Sequence, residues 1–175
     1  MRKSEDKYDF CVRWDPFFLS PDTPAGGIPM PDDFSSAIAS LKENGKAVGI
    51  DFTCKTELLP NTTLVHTLVE YSKQAGGSTQ NDLVEVLFKA HFTDAEGQTL
   101  DNLLKYAKSV GLDVDATKSH ITNPDNQKVI TSKAKEWSDK GVTEVPYFVI
   151  NGEAVFHGDK DEASFLKEFE RLAKR

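Results

Sequence analysis

The chain has 175 residues, with 21 Lys and Arg against 28 Asp and Glu, a formal net charge of −7 at pH 7. Hydrophobic residues make up 38 % and charged residues 28 %, which is too apolar for a disordered chain and suits one domain with its own core. The acidic balance excludes nonspecific nucleic-acid binding, which needs a basic face, and no apolar run reaches the roughly 18 residues of a membrane span.

The cysteines are Cys11 and Cys54, 43 positions apart, with no Cys-x-x-Cys and no Cys/His cluster at metal-ligand spacing. That excludes a disulfide-rich secreted scaffold and gives no metal site. The start MRKSEDKYDF is charged and lacks the apolar core of a signal peptide, so the chain as given is expected in a reducing, cytoplasmic compartment.

In chain order, Tyr8, Phe10, Val12 and Trp14 alternate with Asp9, Cys11 and Arg13, which predicts a half-buried strand ended by Pro16. Residues 20–31 hold four prolines and two adjacent glycines and predict a loop without a ladder. From residue 32 the period changes to 3.6. Phe34, Ile38 and Leu41 mark the face of a helix over Asp32–Gly45. Leu64, Val65, Leu68 and Val69 mark a second, with Asn61 as a capping residue and Ala75-Gly-Gly as its stop. Leu83, Val86, Leu87 and Ala90 mark a third, with His91 near its end serving the helix dipole. Leu100, Leu103, Leu104, Ala107 and Val110 mark a fourth, closed by Gly111. A short helical piece over Asp113–Ile121 precedes Asn123-Pro124, the signature of a helix start with Pro at the first position. Val129, Ile130, Ala134 and Trp137 face the core there, and Gly141 ends the helix.

The period then returns to two. Val145–Ile150 and Ala154–His157 flank Asn151-Gly152, the strongest short hairpin signal in the chain. A last helix over Asp159–Arg175 faces the core with Phe165, Leu166, Phe169 and Leu172, its acidic start matching the helix dipole. His66, His91, His120 and His157 share no metal spacing.

The stretch Gly141–Gly158, GVTEVPYFVINGEAVFHG, resembles the cis-proline hairpin of the DsbA-like branch of the thioredoxin superfamily. It is most similar to the FrnE-like dithiol oxidoreductases, relatives of 2-hydroxychromene-2-carboxylate isomerases and kappa-class glutathione transferases. Val12–Asp22, Asn61 with His66, the helix around Val84–Phe88, and Ala107–Leu112 extend the likeness over nearly the whole chain.

The resemblance implies an α/β, thioredoxin-like (DsbA-type) fold, N-terminally truncated, in a single domain over residues 1–175. Residues 32–140 would be a large helical insertion, and 8–19 with 141–175 the thioredoxin-like part. Val145 and Pro146 would bind an extended polypeptide or thiol substrate. The family's first strand and its Cys-x-x-Cys are not in this sequence. The dithiol oxidoreductase class therefore comes with an expectation of redox inactivity for the chain as given, no catalytic residue, and Cys11 and Cys54 as candidate reactive thiols. The alternatives are a non-catalytic peptide-binding or dimeric module, and a kappa-type transferase or isomerase with glutathione as its ligand. Without the first strand, rows of backbone groups lack partners at about 1–3 kcal/mol per buried group. Either Tyr8–Trp14 pairs directly with the hairpin, or two copies share edges as a homodimer, or a longer form carries the Cys-x-x-Cys.

Overall fold

The computed structural model describes residues 4, 6–30, 34–53, 55–56 and 58–174, without the side chains of 34–37. The strand β1 (Ile28–Pro29) pairs antiparallel with β2 (Leu58–Leu59), on either side of α1 (Phe34–Ala47). Then come α2 (Thr63–Tyr71), α3 (Thr79–Phe88), α4 (Leu100–Ser109), α5 (Val114–Ile121) and α6 (Pro124–Asp139). The hairpin of β3 (Tyr147–Ile150) and β4 (Glu153–His157) and the helix α7 (Glu162–Leu172) complete the chain.

Helix ends follow the side chains that can cap them. Thr99, Asp113, Asn123 and Asp161 each accept a hydrogen bond from a backbone N–H of the first turn of α4, α5, α6 and α7. Asn61 holds the start of α2 from one residue further out. Its Oδ1 accepts from the Thr63 N–H at 2.9 Å, and its Nδ2 donates to the Thr23 carbonyl at 2.6 Å, tying the proline-rich loop to the helix. After α3 the chain widens into a π turn, Lys89–Thr93, before α4.

The core lies between α2, α3, α4 and α5, where Leu68, Leu83, Leu103, Ala107 and Ile121 are fully buried. Each buried leucine contributes roughly 1.5–3 kcal/mol of apolar transfer. Ile130 and Ala134 are buried on α6. Two expected core residues are not: Leu41 on α1 and Val129 on α6 are exposed. Val129 instead lines a shallow 260 Å³ hollow with Tyr71 and His120.

The hairpin turns at Asn151 and Gly152, whose φ values of 51° and 81° are those of a type I′ turn. The register then shifts between Phe148 and Val149, because Val155 is an extra residue in β4. On one face Phe148 and Phe156 pack on Phe165 of α7, with ring centroids 4.9 and 5.0 Å apart. On the other face Tyr147 stands 6.0 Å from Trp137 of α6.

Two expectations need correction. Residues 20–31 do carry a short ladder, since Ile28–Pro29 pairs with Leu58–Leu59. Tyr8–Trp14 is extended and alternates half-buried with exposed residues, yet it joins no sheet and does not pair with the hairpin. Side chains hold it instead. The Trp14 N–H donates to Gln80 Oε1 at 3.0 Å, and Gln80 Nε2 donates back to the Trp14 carbonyl at 2.9 Å. At its other end Phe10 packs on Phe169 of α7, centroids 5.0 Å apart. A primary amide sets an N–H donor beside a carbonyl acceptor, so Gln80 stands in for a single rung of a ladder.

Candidate functional site

The route into the hairpin is set by the end of α6. Gly141 takes φ 88°, and the Val142 N–H donates to the Trp137 carbonyl at 3.1 Å, which buries Val142 against the helix. The chain then emerges. Val145 is 41 % exposed, and the Val145–Pro146 peptide is cis. The Pro146 carbonyl accepts from the Gly158 N–H at 2.9 Å, which fixes the proline to the far strand. Among the described residues nothing bonds to the N–H or C=O of Val145. The lip is therefore a short stretch of free backbone with an apolar side chain, set on a hairpin that α7 supports.

The aromatic surroundings of the lip come from three elements. Tyr147 meets His157 across the hairpin, centroids 4.8 Å apart, and the Lys140 ammonium lies 4.7 Å from the centre of the Trp137 ring. Such a cation–ring contact is worth about 0.5–1 kcal/mol at an exposed site.

The candidate thiols do not complete a redox site. Cys11 is exposed, in the extended segment and at no helix N-terminus. Cys54 lies outside the described residues. The histidines are dispersed: His66 faces Phe18, His91 faces Phe92, His120 faces Tyr71 and His157 faces Tyr147. Burial pushes His66 down to about 4 and lowers His91 and His120 as well. His91 lies in the last turn of the π segment Lys89–Thr93, as its sequence reading expects, and burial there disfavours its charged form. Among the described residues no three His, Cys, Asp or Glu side chains come together as a metal site, and no helix is long and apolar enough to cross a membrane.

The residue that sequence reasoning missed is Gln80. It is buried on α3 and bonds to the Val69 carbonyl as well as to Trp14. A charge chain reinforces the same seam. Asp15 pairs with Arg13 and Lys73, Lys73 with Glu70, and Glu70 with Lys133 on α6, at 2.9, 2.8, 2.6 and 2.5 Å. Burial raises the Asp15 and Glu70 carboxyls, but hydrogen bonds from the cations outweigh it, and both sit below the ordinary carboxylate value.

This order of a tethered extended segment, a helical block, a proline-led hairpin and a terminal helix agrees with the match of residues 1–170 to the DSBA-like thioredoxin domain. The chain belongs to that family. Its architecture is the mixed α/β DsbA-like thioredoxin fold. It is similar to the crystal structure of a probable DsbA oxidoreductase from Streptomyces coelicolor, with a TM-score of 0.75 and 18 % identity. That likeness covers 90 % of this chain and 73 % of the other, and at such identity it speaks for the fold. No curated protein matches the sequence.

Proposed function

We propose that this polypeptide belongs to the thiol–disulfide oxidoreductase class of the DsbA-like family, nearest the FrnE-like enzymes, and that its 175 residues do not carry out dithiol exchange themselves. The cysteine inventory carries this reading. A dithiol oxidase hands its disulfide to a substrate through a mixed disulfide, so it needs two thiols close enough to bond and one of them stabilised as a thiolate. Cys11 and Cys54 are the whole supply, 43 positions apart, and Cys11 sits at no helix start. Insulin reduction by dithiothreitol and refolding of reduced ribonuclease test the reading. The expected rates equal those without the protein, and Cys11→Ser changes nothing. Turnover on the scale of a Cys-x-x-Cys enzyme overturns it.

A second activity is compatible with that chemistry. Val145 presents an exposed apolar side chain and unbonded backbone at the mouth of the hairpin. We infer that this lip holds extended polypeptide by backbone hydrogen bonds, as in strand addition. Titration of a dye-labelled, reduced and alkylated unfolded protein should show saturable binding that Val145→Glu weakens. Equal binding by the two forms, or none by either, removes this part of the proposal.

A further inference from the structure

A hollow of 260 Å³ opens where the ends of α2 and α5 meet α6. On α6 it is lined by Asn126, Val129, Ile130 and Lys133, whose spacing of i, i+3, i+4, i+7 is one helical face. Val129 lies beside the buried Ile130, yet it stays 51 % exposed and gives the hollow an apolar lining. The opposite lining is aromatic. Tyr71, the last residue of α2, and His120, near the end of α5, set their rings 4.4 Å apart and tilted by 34°, a stacked pair. Burial disfavours the charged form of His120, so the pair presents a neutral face.

The polar lining sets which charge suits the hollow. Glu70 has both carboxylate oxygens occupied, Oε1 by Lys133 at 2.5 Å and Oε2 by Lys73 at 2.6 Å. The carbonyls at the end of α5, which would draw a cation, are taken by side chains of α6. Asn126 Nδ2 donates to the His120 carbonyl at 2.9 Å, and Gln127 Nε2 to the Ile121 carbonyl at 2.8 Å. The Lys133 ammonium carries three N–H donors and uses one of them, on Glu70, among the described residues. The chain of ion pairs that ends at Lys133 sets Arg13, Lys73 and Lys133 against Asp15 and Glu70, which leaves one positive charge. Acceptors are occupied and donors are free, so the complement is an anion.

We propose that this hollow binds a small planar aromatic monoanion, one or two fused rings with a single anionic group, the ring lying on Tyr71 and His120 beside Val129 and the anion on Lys133. A volume of 260 Å³ is at the low end for a ligand pocket and is too small for a cofactor-sized molecule. Neither Val145 nor Pro146 lines the hollow, and neither cysteine does, so this site rests on neither the lip nor the thiol chemistry.

The probe is naphthalene-2-sulfonate, titrated into the full chain and followed by NMR amide shifts. Saturable shifts are expected at Tyr71, His120, Val129 and Lys133, with a dissociation constant of about 1 mM. Three controls should each bind more weakly by about threefold or more: the uncharged naphthalene-2-sulfonamide, the non-planar cyclohexanesulfonate and the cationic naphthalen-2-ylmethylammonium. His120→Ala and Lys133→Gln should weaken the sulfonate by a similar factor. Lys128→Gln removes the same charge from α6 at a residue that does not line the hollow, and should leave binding unchanged. The absence of saturable shifts at the four residues, or shifts centred on another surface, overturns the proposal. So does equal binding of any control, or an unchanged affinity in either His120→Ala or Lys133→Gln.

Discussion

Helices α2–α6 and the thioredoxin-like remainder bury their apolar surface in different ways. Each helix bonds its own backbone, α4, α5 and α6 are capped by the residue before them, and the helices meet mainly through apolar side chains around Leu68, Leu83 and Leu103. The hairpin, α7 and Tyr8–Trp14 meet through rings that stay half-buried, Tyr8, Phe10, Phe148, Phe156, Phe165 and Phe169, over backbone edges that have no partner among the described residues. A helix is complete by itself, whereas a strand is complete only with neighbours on both sides. The stability of this chain should therefore sit in the helical block, and its capacity to bind extended polypeptide in the remainder.

The sharpest way to break that comparison is to excavate both parts. Leu103→Ala, at a fully buried position, should cost about 2–5 kcal/mol in urea unfolding. Phe169→Ala, at a half-buried position, should cost less and should mainly speed amide exchange in the hairpin and in Tyr8–Trp14. Equal losses from both would mean that the two parts unfold as one unit.

The seam comes next. Gln80→Ala leaves the Trp14 N–H and C=O without their partner, at about 1–3 kcal/mol, while the Val69 carbonyl keeps the Ser72 hydroxyl. Trp14 also loses its register on α3, where its indole N–H donates to Asn81 and its ring packs on Phe88. Tryptophan fluorescence should shift toward the exposed value before global unfolding. A loss under about 0.5 kcal/mol would show that the segment is held by packing alone.

His66 gives the comparison a pH axis. Burial against Phe18 lowers it from 6.5 to about 4, so between those values the unfolded chain binds a proton that the folded chain does not. Its contribution is complete above pH 6.5 and is lost as the pH falls toward 4. Because the ring lies on α2, the helical block should lose about 3 kcal/mol over that window. In His66→Gln this part of the pH dependence should vanish, and an unchanged slope would assign it to other groups.

The helical block was largely legible in the sequence because its signals are local. Asn123-Pro124 starts α6, and Gly111 and Gly141 close α4 and α6 at φ 86° and 88°. The failures are all tertiary. Leu41 and Val129 occupy proper helical positions but face no neighbour that buries them. Gln80 reads as a surface residue of α3, since nothing in its own helix reveals that an extended chain 66 residues upstream will use its amide. Tyr8–Trp14 has the alternation of a strand, but alternation reports which side chains face a core and says nothing about whether a backbone neighbour exists. For the site, Val145 and Pro146 were visible through the hairpin they precede, while the open edge of β3 depends on which strands lie beside the β3–β4 register, which no local motif announces.

The smallest test addresses the turn on which that register depends. Gly152 has φ 81°, and a Cβ built there would meet nothing within 4 Å, so Gly152→Ala carries backbone strain without a clash. The cost should be about 1 kcal/mol. Asn151, at φ 51°, is the residue type that tolerates this region, so Asn151→Gly should be close to neutral. Because the strain lies at the tip of β3–β4, Gly152→Ala should fray Ile150 and Glu153 first and leave exchange in α2–α5 unchanged. If the helical block also loosened, the hairpin would belong to its cooperative unit, and the division drawn between the two regions would fail at its most local point.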